Sequence, residues 1–302
     1  MKKIFRLLKF LIKSSFVFEL PEKNLVLIYD PVKNFFDDIK FYINISKTGK
    51  LHVRGETINI PILLYSFIIG NPLQIKKNYI LSYIKFSEPK IIITSTDNDM
   101  VFYTLKQKVQ NKIKFIVLQN GIRGNYDDFL EFKEYKKKYK EKLVVDYFLS
   151  ISSLVSKKYK RYISAEFLPI GLLRNNLLKT NNIKFKKRIL FISQFRKSIY
   201  EGNFYLNKFK KKIEGNNFYI PDINVLNYLI NYIYQNKNNY DLTICLRSGS
   251  DPIPQKSFIK DVFKSKIKMN FIEPKNGYDV YKAVDQAAYI VTLDSALGYE
   301  AF

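Results

Sequence analysis

The 302-residue chain holds one cysteine, Cys245, and one histidine, His52. A single cysteine excludes a disulfide framework and a cysteine-based zinc site, and it makes a reducing cytoplasm the expected compartment. A single histidine excludes a histidine-cluster metal site and leaves little room for a Ser-His-Asp mechanism. Neither G-x-G-x-x-G nor G-x-x-x-x-G-K-[ST] occurs, so dinucleotide redox chemistry and P-loop hydrolysis have no support. The longest apolar stretch, residues 60–70, is bounded by Pro61 and Pro72 and is too short to span a bilayer. Acidic residues are also scarce: 27 Asp+Glu stand against 51 Lys+Arg, a formal net charge of +24.

A hydrophobic content of 47% with 16% aromatics excludes a wholly disordered chain. The length suits one large domain or two domains of about 150 residues. The positive charge invites a nucleic-acid partner, but none is expected. Lysine greatly outnumbers arginine, whereas phosphate and base recognition favour arginine forks. The basic runs 136–138, 186–188 and 210–212 sit among Asn, Ile, Tyr and Phe and read as solvated surface. Residues 1–20 begin MKKIFRLLKFLIKSSFVF, with Ile4, Leu7, Leu8, Leu11 and Ile12 at helical spacing among Lys2, Lys3, Arg6, Lys9 and Lys13. That pattern predicts a basic amphipathic helix able to lie on an anionic membrane surface.

Short apolar runs alternate with helical stretches through the rest of the chain. Strands are expected at 25–29, 52–58, 90–94, 114–118, 144–149 and 167–170, and again at 188–193, 241–246, 268–272 and 289–293. Between them the pattern predicts helices at 61–69, 79–86, 99–109, 126–142 and 152–163, then at 222–235, 255–263 and 277–287. Strands that are apolar throughout, separated by helices, belong to parallel sheets covered on both faces. The polar stretch 175–187 reads as a linker, so the expected architecture is α/β. It comprises two Rossmann-like, doubly wound domains facing a cleft, 21–174 and 188–302. A doubly wound domain continues past a last strand at 289–293, so the second domain is expected to be incomplete. Cys245 falls inside an apolar strand and reads as core.

Ligands of such sheets bind beyond the carboxyl ends of the strands, and three loops there stand out. DSALGYEAF, residues 294–302, follows the last strand with small residues and a glycine that let backbone N–H groups approach a phosphate. QNGIR, residues 119–123, follows a first-domain strand, and RILFISQFR, residues 188–196, opens the second half. The first resembles the S-x-x-G-x-E-A signature at the nucleotide site of two-Rossmann-domain (GT-B) glycosyltransferases. All three resemble segments of bacterial surface-carbohydrate and lipopolysaccharide biosynthesis proteins. CDP-glycerol glycerophosphotransferases and sugar-nucleotide 2-epimerases share that architecture.

The resemblance implies a nucleotide-sugar donor in the second domain, with Ser295, Gly298 and Glu300 at phosphate and ribose. Arg196 and Arg247, each after a second-domain strand, would neutralise a leaving diphosphate without a metal or other cofactor. The first domain would hold a lipid-linked or glycan acceptor and the base. Asn120, Gly121 and Arg123 form the expected cleft loop, and Asp97 and Glu56 are the catalytic candidates. Asp99 and His52 stand behind them. Capping of the helix at 99–109 is the competing role for Asp97, and Asp97-Asn98-Asp99 also matches the short D-x-D metal pattern of single-domain (GT-A) enzymes. The expected activity is metal-independent sugar transfer to a surface glycan at the inner face of the plasma membrane. Polyol-phosphate transfer, sugar-nucleotide epimerisation, and non-catalytic membrane or RNA binding are the alternatives.

Overall fold

A computed structural model describes residues 14–32, 35, 38–71, 74–109, 112–121, 129–139, 142–178, 185–195, 204–206, 212–214, 217, 219–236, 239–247, 251–262, 267–275, 277–293, 295 and 298. The chain divides into two compact units, Met1–Leu173 and Arg174–Phe302.

The first unit carries a six-stranded parallel sheet. Its strands are β2 (Val26–Tyr29), β3 (Thr48–Leu51), β5 (Ile91–Thr94), β6 (Lys114–Leu118), β7 (Leu143–Ser150) and β8 (Ile163–Pro169), in the order β3-β2-β5-β6-β7-β8. Side chains alternate across a strand, and here both faces are covered. Leu27, Tyr29, Ile92, Phe115 and Val117 enter one core with Ile80, Ile84, Phe102, Phe132 and Tyr159. Val26, Ile28, Ile93 and Leu118 enter a second core with Phe35 and Ile39. Two-faced burial is why these strands read as unbroken apolar runs. Each fully buried aliphatic or Phe side chain contributes roughly 1.5–3 kcal/mol.

Helix α1 (Ile60–Ile69) starts at an Asn59 cap, with Pro in its first turn, and α2 (Ile75–Ser87) follows it. Helix α3 (Met100–Leu105) is shorter than the expected 99–109; the chain tightens into a 3-10 turn over Lys106–Lys108. Its cap is Asp99, whose Oδ1 accepts from the Val101 N–H at 2.9 Å, rather than Asp97. Helices α4 (Leu130–Tyr139) and α5 (Ser153–Tyr159) complete the cover.

Two expectations change in this unit. Residues 15–17 of the expected N-terminal helix form a strand, β1 (Ser15–Val17), parallel to β4 (Thr57–Asn59). Hydrogen bonds from Ser15 N and Oγ to the Glu56 carbonyl, 2.9 and 3.0 Å, draw that segment out. Residues 1–13 lie outside the described residues. The expected strand 52–58 is mostly turn: β3 (Thr48–Leu51) ends before it, Gly55 turns the chain at φ 89°, and pairing resumes only at β4. A positive φ of that size is one glycine adopts at no steric cost.

The second unit has a four-stranded parallel sheet ordered β13-β12-β9-β14, with β9 at Phe185–Ile192, β12 at Asp241–Cys245, β13 at Met269–Ile272 and β14 at Ala287–Val291. β9 begins inside the stretch expected as linker. Burial alternates as before. Ile189, Phe191, Leu242 and Ile244 face one core with Leu226, Ile230 and Ile259. Leu190, Ile192 and Cys245 face another with Ala283. The covering helices are α7 (Ile220–Gln235), α8 (Pro252–Val262) and α9 (Gly277–Gln286); the short helix α6 is Leu173–Asn176. An antiparallel pair, β10 (Phe204–Leu206) with β11 (Lys212–Glu214), had no counterpart in the sequence pattern. The Cys245 thiol is fully buried and pushed up to about 12 by that burial, as a core residue rather than a nucleophile. Among the described residues no helix is long and apolar enough to cross a membrane.

Asp146, on β7, braces the first sheet. It accepts from the Phe115 N–H at 2.8 Å, from Lys114 Nζ at 3.2 Å and from Lys106 Nζ at 2.9 Å. Burial pushes its carboxyl up, but the Phe115 N–H and the two lysines outweigh that and hold it below the ordinary value of 3.8. Asp146→Asn is expected to cost about 1.5–3 kcal/mol in urea unfolding, the range for hydrogen bonds to a charged group. A depressed carboxyl stabilises above its unfolded pKa. The difference between wild type and variant should therefore shrink as pH falls from the unfolded value through the lower folded one.

Candidate functional site

In the first sheet β2 leads to β3 on one side, while β5 leads to β6, β7 and β8 on the other. The carboxyl ends of β2 and β5 therefore flank the point where the winding reverses, the usual ligand edge of such sheets. Asp30 follows β2 in the left-handed region, φ 55°, and is buried. Its Oδ2 takes Arg54 Nη2 at 2.5 Å and the Thr96 hydroxyl at 2.8 Å, which ties the loops after β2, β3 and β5 together. Tyr29 donates to Asp99 Oδ2 at 2.7 Å. Burial, with the Asp99 carboxylate beside it, raises the Tyr29 phenol far above its ordinary range, so it keeps its proton and stays a donor.

The two catalytic candidates part company here. Asp97 is 1% exposed. Its Oδ2 accepts from Tyr159 at 2.8 Å, and its backbone carbonyl accepts from Tyr103 at 2.7 Å. A general base must reach the proton it removes, and this carboxylate is turned into the core. Glu56 is exposed, and its Oε2 lies 4.0 Å from His52 Nδ1. Burial lowers the His52 pKa below 6.5, opposed by Glu56 and helped by Lys50. The imidazole is therefore neutral at pH 7, able to accept a proton with a carboxylate nearby.

Of the expected loop after β6, Asn120 is exposed and Gly121 sits at φ 139° with open space where a Cβ would stand. Gln119, the first residue of the QNGIR segment, clips that loop. Its Nε2 donates to the Gly121 carbonyl at 2.7 Å, and its Oε1 accepts from the Ile151 N–H at 3.0 Å. Arg123 lies outside the described residues.

In the second sheet the winding reverses between β9 and β14. Gln194, after β9, and Thr292, after β14, keep a buried Nε2 and Oγ1 with no hydrogen-bond partner among the described residues. Ser95 Oγ, after β5 in the first unit, is the same. A fourth, Ser82 Oγ, lies elsewhere, within α2. Buried polar groups are nearly always paired, so orphans gathered at ligand edges mark places where a ligand can supply the partner. Arg247 follows β12 on the same edge of the second sheet. Its backbone is gripped by the fully buried Gln255: Arg247 N–H donates to Gln255 Oε1 at 2.9 Å, and Gln255 Nε2 donates back to the Arg247 carbonyl at 3.3 Å. Nothing in the sequence marks Gln255, which lies within an ordinary amphipathic helix.

After β14, the Gly298 N–H closes a turn onto the Ser295 carbonyl at 3.0 Å. A Cβ at Gly298 would come within 2.0 Å of Thr292 Cγ2, so only glycine lets this turn pack on the strand end. Arg196 and Glu300 lie outside the described residues. No group of three or more His, Cys, Asp or Glu that could hold a metal occurs among the described residues.

Residues 116–302, well over half of the chain, match the family model described as "putative O-antigen biosynthesis protein". The chain belongs to this O-antigen biosynthesis family. Among solved structures, the UDP-GlcNAc 2-epimerase of Neisseria meningitidis bound to UDP-GlcNAc is similar at 13% identity and TM-score 0.45, over 90% of this chain and 78% of that one. The UDP-GlcNAc 2-epimerase of Methanocaldococcus jannaschii, in complex with UDP-GlcNAc and UDP, is similar at 13% identity and TM-score 0.48, over 92% and 80%. A search of curated proteins found no match. The family match takes in the whole second unit, including Arg247, Gln255 and the Ser295–Gly298 turn, but not Asp30, His52 or Asp97.

Tyr159→Phe tests the placement of Asp97. Loss of a hydroxyl bonded to a buried carboxylate should lower stability by about 1.5–3 kcal/mol in denaturant unfolding. Asp97→Asn in the Tyr159→Phe background should then cost less than in the wild type, as a double-mutant cycle.

Proposed function

We propose that this member of the O-antigen biosynthesis family is a glycosyltransferase that moves a sugar from a nucleotide-sugar donor to a surface-glycan acceptor. The observation that carries the reading is the edge between β9 and β14. Two orphaned polar side chains, Gln194 and Thr292, stand there on the same sheet edge as a braced Arg247 loop and a glycine turn. Arginine, unpaired donors and backbone N–H groups are what a nucleoside diphosphate needs. Family membership over residues 116–302 supplies the setting, glycan assembly. In this reading Ser295 and Gly298 approach the diphosphate, Arg247 and Arg196 carry its charge, and Glu300 meets the ribose.

On the acceptor side, His52 takes the proton of the attacking hydroxyl and Glu56 stabilises the imidazolium that forms. The acceptor oxygen bonds to the anomeric carbon as the bond to the nucleoside diphosphate breaks, and the leaving group departs with its negative charge on the phosphate. Asp97 acts here only as a positioning residue, holding the loop after β5 through Tyr159 and Tyr103. Asn120, Gly121 and Arg123 border the acceptor.

UDP, CDP, CMP and GDP, tested separately in thermal unfolding, should include at least one that stabilises the chain. Saturation at a hundredfold over Kd adds about 2.7 kcal/mol. Arg247→Ala should weaken that nucleotide by about tenfold or more, the worth of a charge-assisted hydrogen bond. No shift with any nucleotide would overturn the reading. Conversion of the sugar nucleotide without an acceptor would replace transfer by epimerisation.

With the matching donor and acceptor, kcat/KM should fall on an acid limb below pH 6.5, where His52 begins to protonate. His52→Gln should lose about a hundredfold or more in kcat, as for a general base, together with that limb. Retention of both in the variant would return the base to another residue.

A further inference from the structure

Helix α1 has the sequence IPILLYSFII and not one charged side chain. It seats itself through Ile62 and Ser66, and through Tyr65, whose ring meets Phe86 of α2 edge-on at 5.1 Å. The opposite face is apolar too: Leu64, Phe67 and Ile68 are 59, 51 and 82% exposed, and Ile69, at the carboxyl end of the seated side, is 54% exposed. A helix that is apolar all round lacks the polar outer face expected next to water.

The last residue of α1, Ile69, also borders a cavity of about 790 Å³ at the amino ends of β5 and β6, the edge opposite the candidate site of this unit. Leu81, Ile84 and Ile113 give it apolar walls, and Ser82, with its unpartnered buried Oγ, stands among them. Lys85, Lys90, Lys108 and Lys112 line it as well, against a single acid, Glu88. Glu88 is already paired with Lys23 at 3.0 Å. Lys90, Lys108 and Lys112 have no ion-pair partner among the described residues.

An exposed apolar helix face running into an apolar hollow ringed by unneutralised lysines is complementary to one kind of surface: apolar chains beneath a layer of phosphates. We propose that α1 and this lysine-ringed cavity form a docking surface for an anionic phospholipid bilayer. The face of Leu64, Phe67 and Ile68 enters the headgroup–acyl boundary, the cavity beside Ile69 accommodates an acyl chain, and the lysines take lipid phosphate. The surface is separate from the amphipathic pattern at residues 1–13 and does not depend on the sugar chemistry proposed above.

The test is cosedimentation of the full chain with vesicles of phosphatidylcholine, with and without phosphatidylglycerol, no sugar nucleotide being present. Binding is expected only with phosphatidylglycerol and should weaken with salt. Phe67→Ser/Ile68→Ser and Lys108→Glu/Lys112→Glu should each lower the partition coefficient by about tenfold or more, with residues 1–13 still in place and unchanged circular dichroism and thermal unfolding. Wild-type binding by both double variants would overturn the proposal. So would binding lost only on deletion of residues 1–13, or full displacement by inorganic phosphate, which would mean a site for a soluble anion. A dimer in sedimentation velocity that Phe67→Ser/Ile68→Ser dissociates, with no vesicle binding, would assign the face to a second copy instead.

Discussion

Parallel strands buried on both faces impose the constraint from which the rest follows. A parallel strand cannot return by a hairpin, so each must be followed by a crossover, and the crossovers cover the sheet above and below. Every strand of a sheet then points the same way, and every loop that follows a strand emerges on one edge. Leu27 and Tyr29 on one side of β2, with Val26 and Ile28 on the other, are the local expression of that constraint. Ile189 and Phe191 against Leu190 and Ile192 repeat it in β9. The loops holding Asp30, Thr96 and His52 in one unit share an edge for that reason, as do those holding Gln194, Arg247 and Thr292 in the other.

The few acids of a strongly basic chain divide by burial. In the first unit Asp30, Asp97, Asp99 and Asp146 are all engaged, with an arginine and a threonine, two tyrosines, and a pair of lysines. A carboxylate withdrawn from water is costly unless paired, and a paired one holds a loop rather than moving protons. Glu56 escapes this fate because it lies in the turn between β3 and β4 and faces solvent. The division explains why the role of base falls to the His52–Glu56 pair in the reading favoured here. In the second unit Gln194 Nε2 and Thr292 Oγ1 are buried without a hydrogen-bond partner among the described residues, which suits recognition of a ligand's polar groups.

Most elements were legible in the sequence, and for one reason. Runs such as LVLIY, IIIT and KFIVL have no polar alternation, which suits a short strand buried on both faces. Where the pattern misled, a single bond decided. Ser15 drew residues 15–17 into a strand through the Glu56 carbonyl, and Asp99 took the cap that was the competing role for Asp97. Gln255 left no trace in the pattern, and Gln119 stood only as the first letter of QNGIR, with nothing to show that it clips the loop. A glutamine that braces a distant backbone has the same spacing as one that faces water.

The sequence alone determined the α/β class, the alternation of strand and helix, and, with one cysteine and one histidine, the exclusion of metal sites rich in those residues. Burial periodicity and residue chemistry are properties of consecutive residues. Only the tertiary structure decided strand order, and with it which loops flank each reversal of winding. It also turned Asp97 inward onto Tyr159, brought His52 within 4.0 Å of Glu56 and left Gln194 Nε2 and Thr292 Oγ1 without a hydrogen-bond partner among the described residues. Hydrogen bonds and burial between residues far apart in the chain have no periodicity for a sequence to display.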